Sequence, residues 1–137
     1  MNDKVVLVYP YFKTQENRNQ KLFNPLGIAL ISAILKRSNI NVLKIDCTFK
    51  SFEDVIREIV DENPKVLGFY TMTSLSKNIH NILQSLHRYL PQTLYLAGGP
   101  LATLYADVFC KDFDVVVKGE LSLDFPQLIK DYFRHFT

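Results

Sequence analysis

At 137 residues, with 47% hydrophobic and 22% charged residues, the chain has the balance of one globular domain with a real core and not that of a disordered segment. A net charge of +2 with no run of Lys or Arg gives no nucleic-acid footprint, and no apolar stretch reaches the roughly 20 residues of a membrane span. Met1-Asn2-Asp3-Lys4 leads straight into a strand pattern without a leader, and Cys47 and Cys110 lack metal-ligand spacing, so the expectation is a cytoplasmic protein with free thiols.

Val5–Tyr9 is the first predicted strand. A long polar loop, Pro10–Asn24, follows; so long a connection suits a lid or contact surface as well as a solvated loop. Within it, Tyr11 and Phe12, with Tyr9, suit either packing over a flat ligand or anchoring the loop. Asn24-Pro25 is a sound helix start. From there to about Arg37, Leu26, Ile28, Leu30, Ile31, Ile34 and Leu35 wrap most of the circumference, so this helix is expected to be the most buried. Val42–Asp46 is the second strand. Ser51 and Asp54 then form a cap for a helix striped by Phe52, Val55, Ile56, Ile59 and Val60.

The third strand is Val66–Tyr70, followed by a helix carrying Ile79, Ile82, Leu83, Leu86 and Leu90 and ended by Pro91. Leu94–Ala97 is the fourth strand, with Leu101, Leu104, Tyr105, Val108 and Phe109 on the next helix. Val115–Val117 is the fifth, and Phe125, Leu128, Ile129, Tyr132, Phe133 and Phe136 stripe the last helix. Five βα units with right-handed crossovers predict an α/β fold. The form expected is a flavodoxin-like (Rossmann-like), doubly wound, five-stranded parallel sheet of order 2-1-3-4-5, one domain over residues 1–137.

Such a sheet binds ligands beyond the carboxyl ends of its strands. At that edge, Gly98-Gly99-Pro100 permits positive φ and a close backbone approach, though a purely steric role explains it equally well. Thr71, Thr73 and Ser74 bring three hydroxyls, suited to neutral amides or to capping. Asp46 suits a ligand hydrogen bond or a local cap, and Cys47 a small buried hydrophobe. Glu120 has no paired acid or base. His80, His87 and His135 all lie away from the edge loops and are expected to face solvent. No Walker or G-x-G-x-x-G sequence follows the first strand, and Pro10 and Tyr70 occupy positions where a phosphoacceptor regulator needs acids. No catalytic constellation emerges.

In order along the chain, Val8-Tyr9-Pro10, Asn24-Pro25-Leu26-Gly27-Ile28-Ala29, Val42–Asp46, Val66–Thr73, Ala97-Gly98-Gly99-Pro100 and Asp114–Glu120 form an ordered set. With it the sequence resembles the N-terminal cobalamin-binding domain of cobalamin-dependent radical S-adenosylmethionine enzymes, including those like the magnesium-protoporphyrin monomethyl ester oxidative cyclase. The resemblance implies a corrinoid held through Gly98, Gly99, Pro100, Gly119 and Glu120, with Tyr11, Asp46, Tyr70, Thr71, Thr73 and Ser74 around it and Leu26, Met72 and Leu101 against the ring. It also implies a cobalt ion without a protein histidine ligand. The partner would be a radical barrel, in the same or another chain, that carries S-adenosylmethionine and a 4Fe-4S cluster. The parent would be a methyltransferase or an oxidative cyclase of which this chain is the N-terminal part. Leu101 stands where the family usually has His, and Gly119-Glu120-Leu121-Ser122 where it has Gly-Glu-Gly-Glu. Those departures suit an alternative, a docking copy that holds no corrin; a sensor or binder of another small molecule on the same fold is the third reading.

Overall fold

A parallel strand covered by helices on both sides has no face to show water, and its sequence is apolar throughout. The computed structural model, which describes residues 1–14, 26–105, 107, 111–119 and 124–135, follows that rule. Its strands are β1 (Asn2–Tyr9), β2 (Asn41–Asp46), β3 (Pro64–Tyr70), β4 (Leu94–Gly98) and β5 (Val115–Val116). All pair in parallel in the expected order, β2-β1-β3-β4-β5. Val5, Val6, Val8, Ile45, Val66 and Leu67 are sealed in the centre, each fully buried side chain contributing about 1.5–3 kcal/mol.

The helices are α1 (Leu26–Arg37), α2 (Phe52–Glu62), α3 (Ser76–His87), α4 (Pro100–Leu104) and α5 (Phe125–His135). Ser51 Oγ accepts the Asp54 N–H at 3.1 Å, the predicted cap of α2. α3 ends earlier than its apolar stripe, because the amides of Tyr89 and Leu90 both turn back to the Leu86 carbonyl. Val117 falls just past β5, yet its N–H still reaches the Ala97 carbonyl at 2.8 Å. The helix start at Asn24-Pro25, and Val108, Phe109, Cys110 and Phe136, lie outside the described residues.

The register sets Leu7, Gly68 and Leu96 side by side on adjacent strands, facing α1. Right-handed crossovers send α2 and α3 to the opposite face, where the His87 ring meets Tyr95 edge-on at 4.7 Å. That face is filled by Val55, Ile59, Ile79, Ile82 and Leu86, all buried. At the sheet's other end, buried Lys65 pairs with Asp3 and donates to the Phe133 carbonyl at 3.3 Å, tying the last turn of α5 to β3.

α1 departs from expectation. It buries Ile28, Ser32 and Leu35, but Leu26 is 73% and Leu30 64% exposed. Its apolar circumference is not fully matched by side chains of the sheet, because the strand beneath part of it carries a glycine. The helix therefore lines a hollow there.

Candidate functional site

That hollow is a cavity of about 380 Å³ between α1, the start of α5 and the sheet. Its floor is Leu7, Gly68 and Leu96. A Cβ on Gly68 would sit 2.9 Å from Leu7 Cδ2 and 3.7 Å from Leu96 Cδ2, so the two leucines lean over bare backbone. Gly27, Leu30, Ile31 and Ile34 of α1 form one wall, and Val117 and Phe125 lie on the far side. The mouth, at the carboxyl edge, is rimmed by Tyr70, Gly98, Gly99 and Gly119. Tyr70 brings the one polar side-chain group among these described lining residues. Such a slot suits a flat, mostly apolar group.

The two adjacent glycines do different work. A Cβ at Gly98 would meet nothing within 4 Å, so that position faces open space at the mouth. Gly99 has φ +102°, and its Cβ would lie 3.0 Å from both the N and the O of Thr71. Only glycine fits there comfortably. Thr71 is the reason for the crowding. Its N–H and its hydroxyl both donate to the Gly98 carbonyl at 2.8 Å, and the hydroxyl accepts the Ala102 N–H at 2.8 Å. This locks α4 onto the end of β3. Thr103 then joins the rims: its hydroxyl donates to the Gly99 carbonyl at 2.9 Å and accepts the Gly119 N–H at 2.9 Å.

Beside the mouth, Tyr9 stands between Tyr70 and Tyr11, with ring centroids 5.9 and 6.2 Å away. Burial first, then the charge of Asp46 and the neighbouring phenols, raises the Tyr9 pKa above that of an ordinary tyrosine. The Tyr11 hydroxyl is buried without a hydrogen-bond partner among the described residues. On the far side of α1, Tyr9, Leu26, Ala29, Lys44 and Asp46 border a second hollow of about 420 Å³. Asp46 Oδ1 there accepts the Thr48 N–H at 3.0 Å and its hydroxyl at 2.5 Å, capping a short 3₁₀ turn. Cys47 is 0% exposed, and burial pushes its thiol pKa up to about 12.

Three comparisons bear on this geometry. The family model described as the B12 binding domain matches residues 20–129, most of the chain. The chain belongs to that family. No curated protein matches the sequence. Among solved structures, the cobalamin-dependent S-adenosylmethionine radical enzyme OxsB with aqua-cobalamin bound superposes with a TM-score of 0.76 at 16% identity, over 98% of this chain and 19% of OxsB. Apo, selenomethionine-labelled OxsB gives 0.75 at 17% identity over the same shares. A CheY-like protein, tadZ of Pseudomonas aeruginosa, gives 0.62 at 14% identity, over 96% of this chain and 93% of that one. At these identities the likeness is one of fold, and this B12-binding domain spans about a fifth of OxsB's length.

Within the B12-binding domain, the sequence-predicted residues separate into groups. Tyr70, Gly98, Gly99 and Gly119 meet at the mouth of the slot. Leu26 and Asp46 share the second hollow, while Tyr11 lies against Tyr9. Thr71 is fully buried, with its hydroxyl spent on the fold. Met72, Thr73 and Ser74 are exposed in the turn that leads into α3. Pro100 and Leu101 open α4, where only their backbone is described, and Glu120 lies outside the described residues. His80, His87 and His135 are all exposed, the first two on α3 and the third at the end of α5. Among the described residues, no group of three or more His, Cys, Asp or Glu could hold a metal, and no helix is long and apolar enough to cross a membrane.

The floor and walls of the slot were not singled out from sequence: Leu7, Gly68, Leu96, Ile31, Ile34 and Phe125, with Thr103 at its rim. One signal existed. Gly68 interrupts an otherwise large apolar strand, which marks a close approach or a space held open.

Proposed function

We propose that this chain is a cobalamin-holding module whose slot over Gly68 takes the nucleotide tail while the corrin disc lies across the mouth. The observation that carries the reading is the apolar slot opening at Gly98, in a chain of the B12-binding family. The fit is chemical as well as steric. Cobalamin is a broad disc fringed by neutral amides, with a flat base at the end of its tail, so it calls for apolar contact and backbone more than for charge. Leu7, Leu96, Ile31 and Ile34 would hold the base, the bare rim at Gly98 would admit the tail, and exposed Leu30 and Met72 supply apolar surface near the edge. Bound cobalamin would supply a cobalt centre for methyl or electron transfer. With the histidines on α3 and at the end of α5 and none lining the slot, a bound cobalt would carry no protein imidazole.

In this reading the residues form one domain, the N-terminal part of a larger cytoplasmic enzyme. Its radical barrel, in the same or a partner chain, would hold S-adenosylmethionine and a 4Fe-4S cluster and carry out methyl transfer or oxidative cyclisation. The likeness to the OxsB fold supports this. Titration with hydroxocobalamin, followed by absorbance, tests the module itself: saturable one-to-one spectral change is expected. Electron paramagnetic resonance of the cobalt(II) form tests the ligation, with no axial nitrogen splitting expected. Absence of binding favours the second reading, a docking copy, which Leu101 and Gly119-Glu120-Leu121-Ser122 recommend. Axial nitrogen splitting in a bound complex would overturn the absence of an axial imidazole or tail base.

A further inference from the structure

Resting on that reading, we propose that the slot discriminates among corrinoids by their lower base, accepting a benzimidazole and rejecting a purine. The reason lies in hydrogen-bond accounting. The floor offers the side chains of Leu7 and Leu96 on either side of bare Gly68. The backbones of these three residues run within the parallel ladders of β1, β3 and β4, where their N–H and C=O groups serve the sheet. The walls described are aliphatic on α1 and aromatic at Phe125, whose ring is itself buried. Tyr70, which brings the one polar side-chain group among these described lining residues, lies with its ring 3.1 Å from the Cβ position of Gly99 and 3.8 Å from that of Gly27.

A dimethylbenzimidazole enters such a space as a plate whose methyl groups gain from leaving water. Adenine is of similar size but carries an exocyclic amine and ring nitrogens that lose their water on entry and find no described side-chain partner deep in the slot. Each polar atom stranded in this way weakens binding by roughly 5- to 150-fold. Shape alone would not separate the two bases; polarity does.

The test uses the intact chain and three ligands in parallel titrations: cobalamin, adeninylcobamide, and cobinamide, which lacks the tail and base altogether. Cobalamin is expected to bind tightest, adeninylcobamide at least about tenfold more weakly, and cobinamide more weakly than cobalamin. Equal affinity for cobalamin and adeninylcobamide overturns the selectivity while leaving corrinoid binding in place. Equal affinity for cobinamide and cobalamin overturns the seating of the tail in the slot, and the selectivity with it. Failure of all three to bind overturns the functional reading as well.

Discussion

The two faces of the sheet are made from the same kinds of residue and finished in different ways. On the side of α2 and α3, side chain meets side chain: Val55, Ile59, Ile82 and Leu86 close over Val6, Val8 and Leu67, and all seven are buried. On the side of α1, the central strand has no side chain at Gly68, and the helix above it keeps Leu30 64% exposed. A core closes when every position has a partner. Without a side chain at Gly68, Leu7 and Leu96 lean over the strand backbone, and the same composition leaves a cavity under the helix, toward the edge where parallel sheets bind ligands.

The sharpest way to break this contrast is at Gly98, whose Cβ position is open space. Gly98→Leu fills the mouth without touching the fold. Overfilling costs the ligand about 1–3 kcal/mol, so cobalamin affinity is expected to fall roughly 5- to 150-fold, with the thermal melt unchanged. The neighbouring position should behave in the opposite way. Gly99→Ala forces a side chain into positive φ and against the Thr71 backbone, at 3.0 Å. It is expected to lose about 1–3 kcal/mol of stability, read by urea unfolding. Equal stability of the two variants would erase the distinction between them.

The closed face can be tested through Cys47. Its thiol pKa is raised from 9.0 to about 12 by burial and then by Asp46. The stability gained by keeping it neutral is fully present below pH 9 and is lost as the pH rises toward 12. Unfolding free energy should decline over that window, and less steeply in Cys47→Ala. The smallest effect is expected at the open face: Leu30→Gln should shift stability by no more than about 0.5 kcal/mol, since the side chain is already mostly in water. A larger loss would mean that the Leu30 side of α1 is packed.

Strand order and the α2 cap were legible because they depend on local period and on handedness rules. The slot was not. Periodicity says which way Leu30 on its helix or Leu96 on its strand points, but not how far a helix stands off the sheet. The role of Thr71 was hidden for another reason. Its hydroxyl looks free for a ligand in sequence, yet its partners, Gly98 and Ala102, lie 27 and 31 residues away. Gly98 and Gly99 looked like one turn motif. Their separation into an open position and a crowded one exists only once β3 and β4 are paired.

Tyr9, Tyr11 and Tyr70 gather beside the mouth of the slot in a chain with seven tyrosines and no tryptophan. Its ultraviolet emission is therefore dominated by phenols, and under the proposed reading three of them stand beside the place where a strongly coloured macrocycle would bind. Such a macrocycle drains excitation from nearby rings, so the glow of the unlabelled protein dims in proportion to occupancy: the fold carries its own optical gauge.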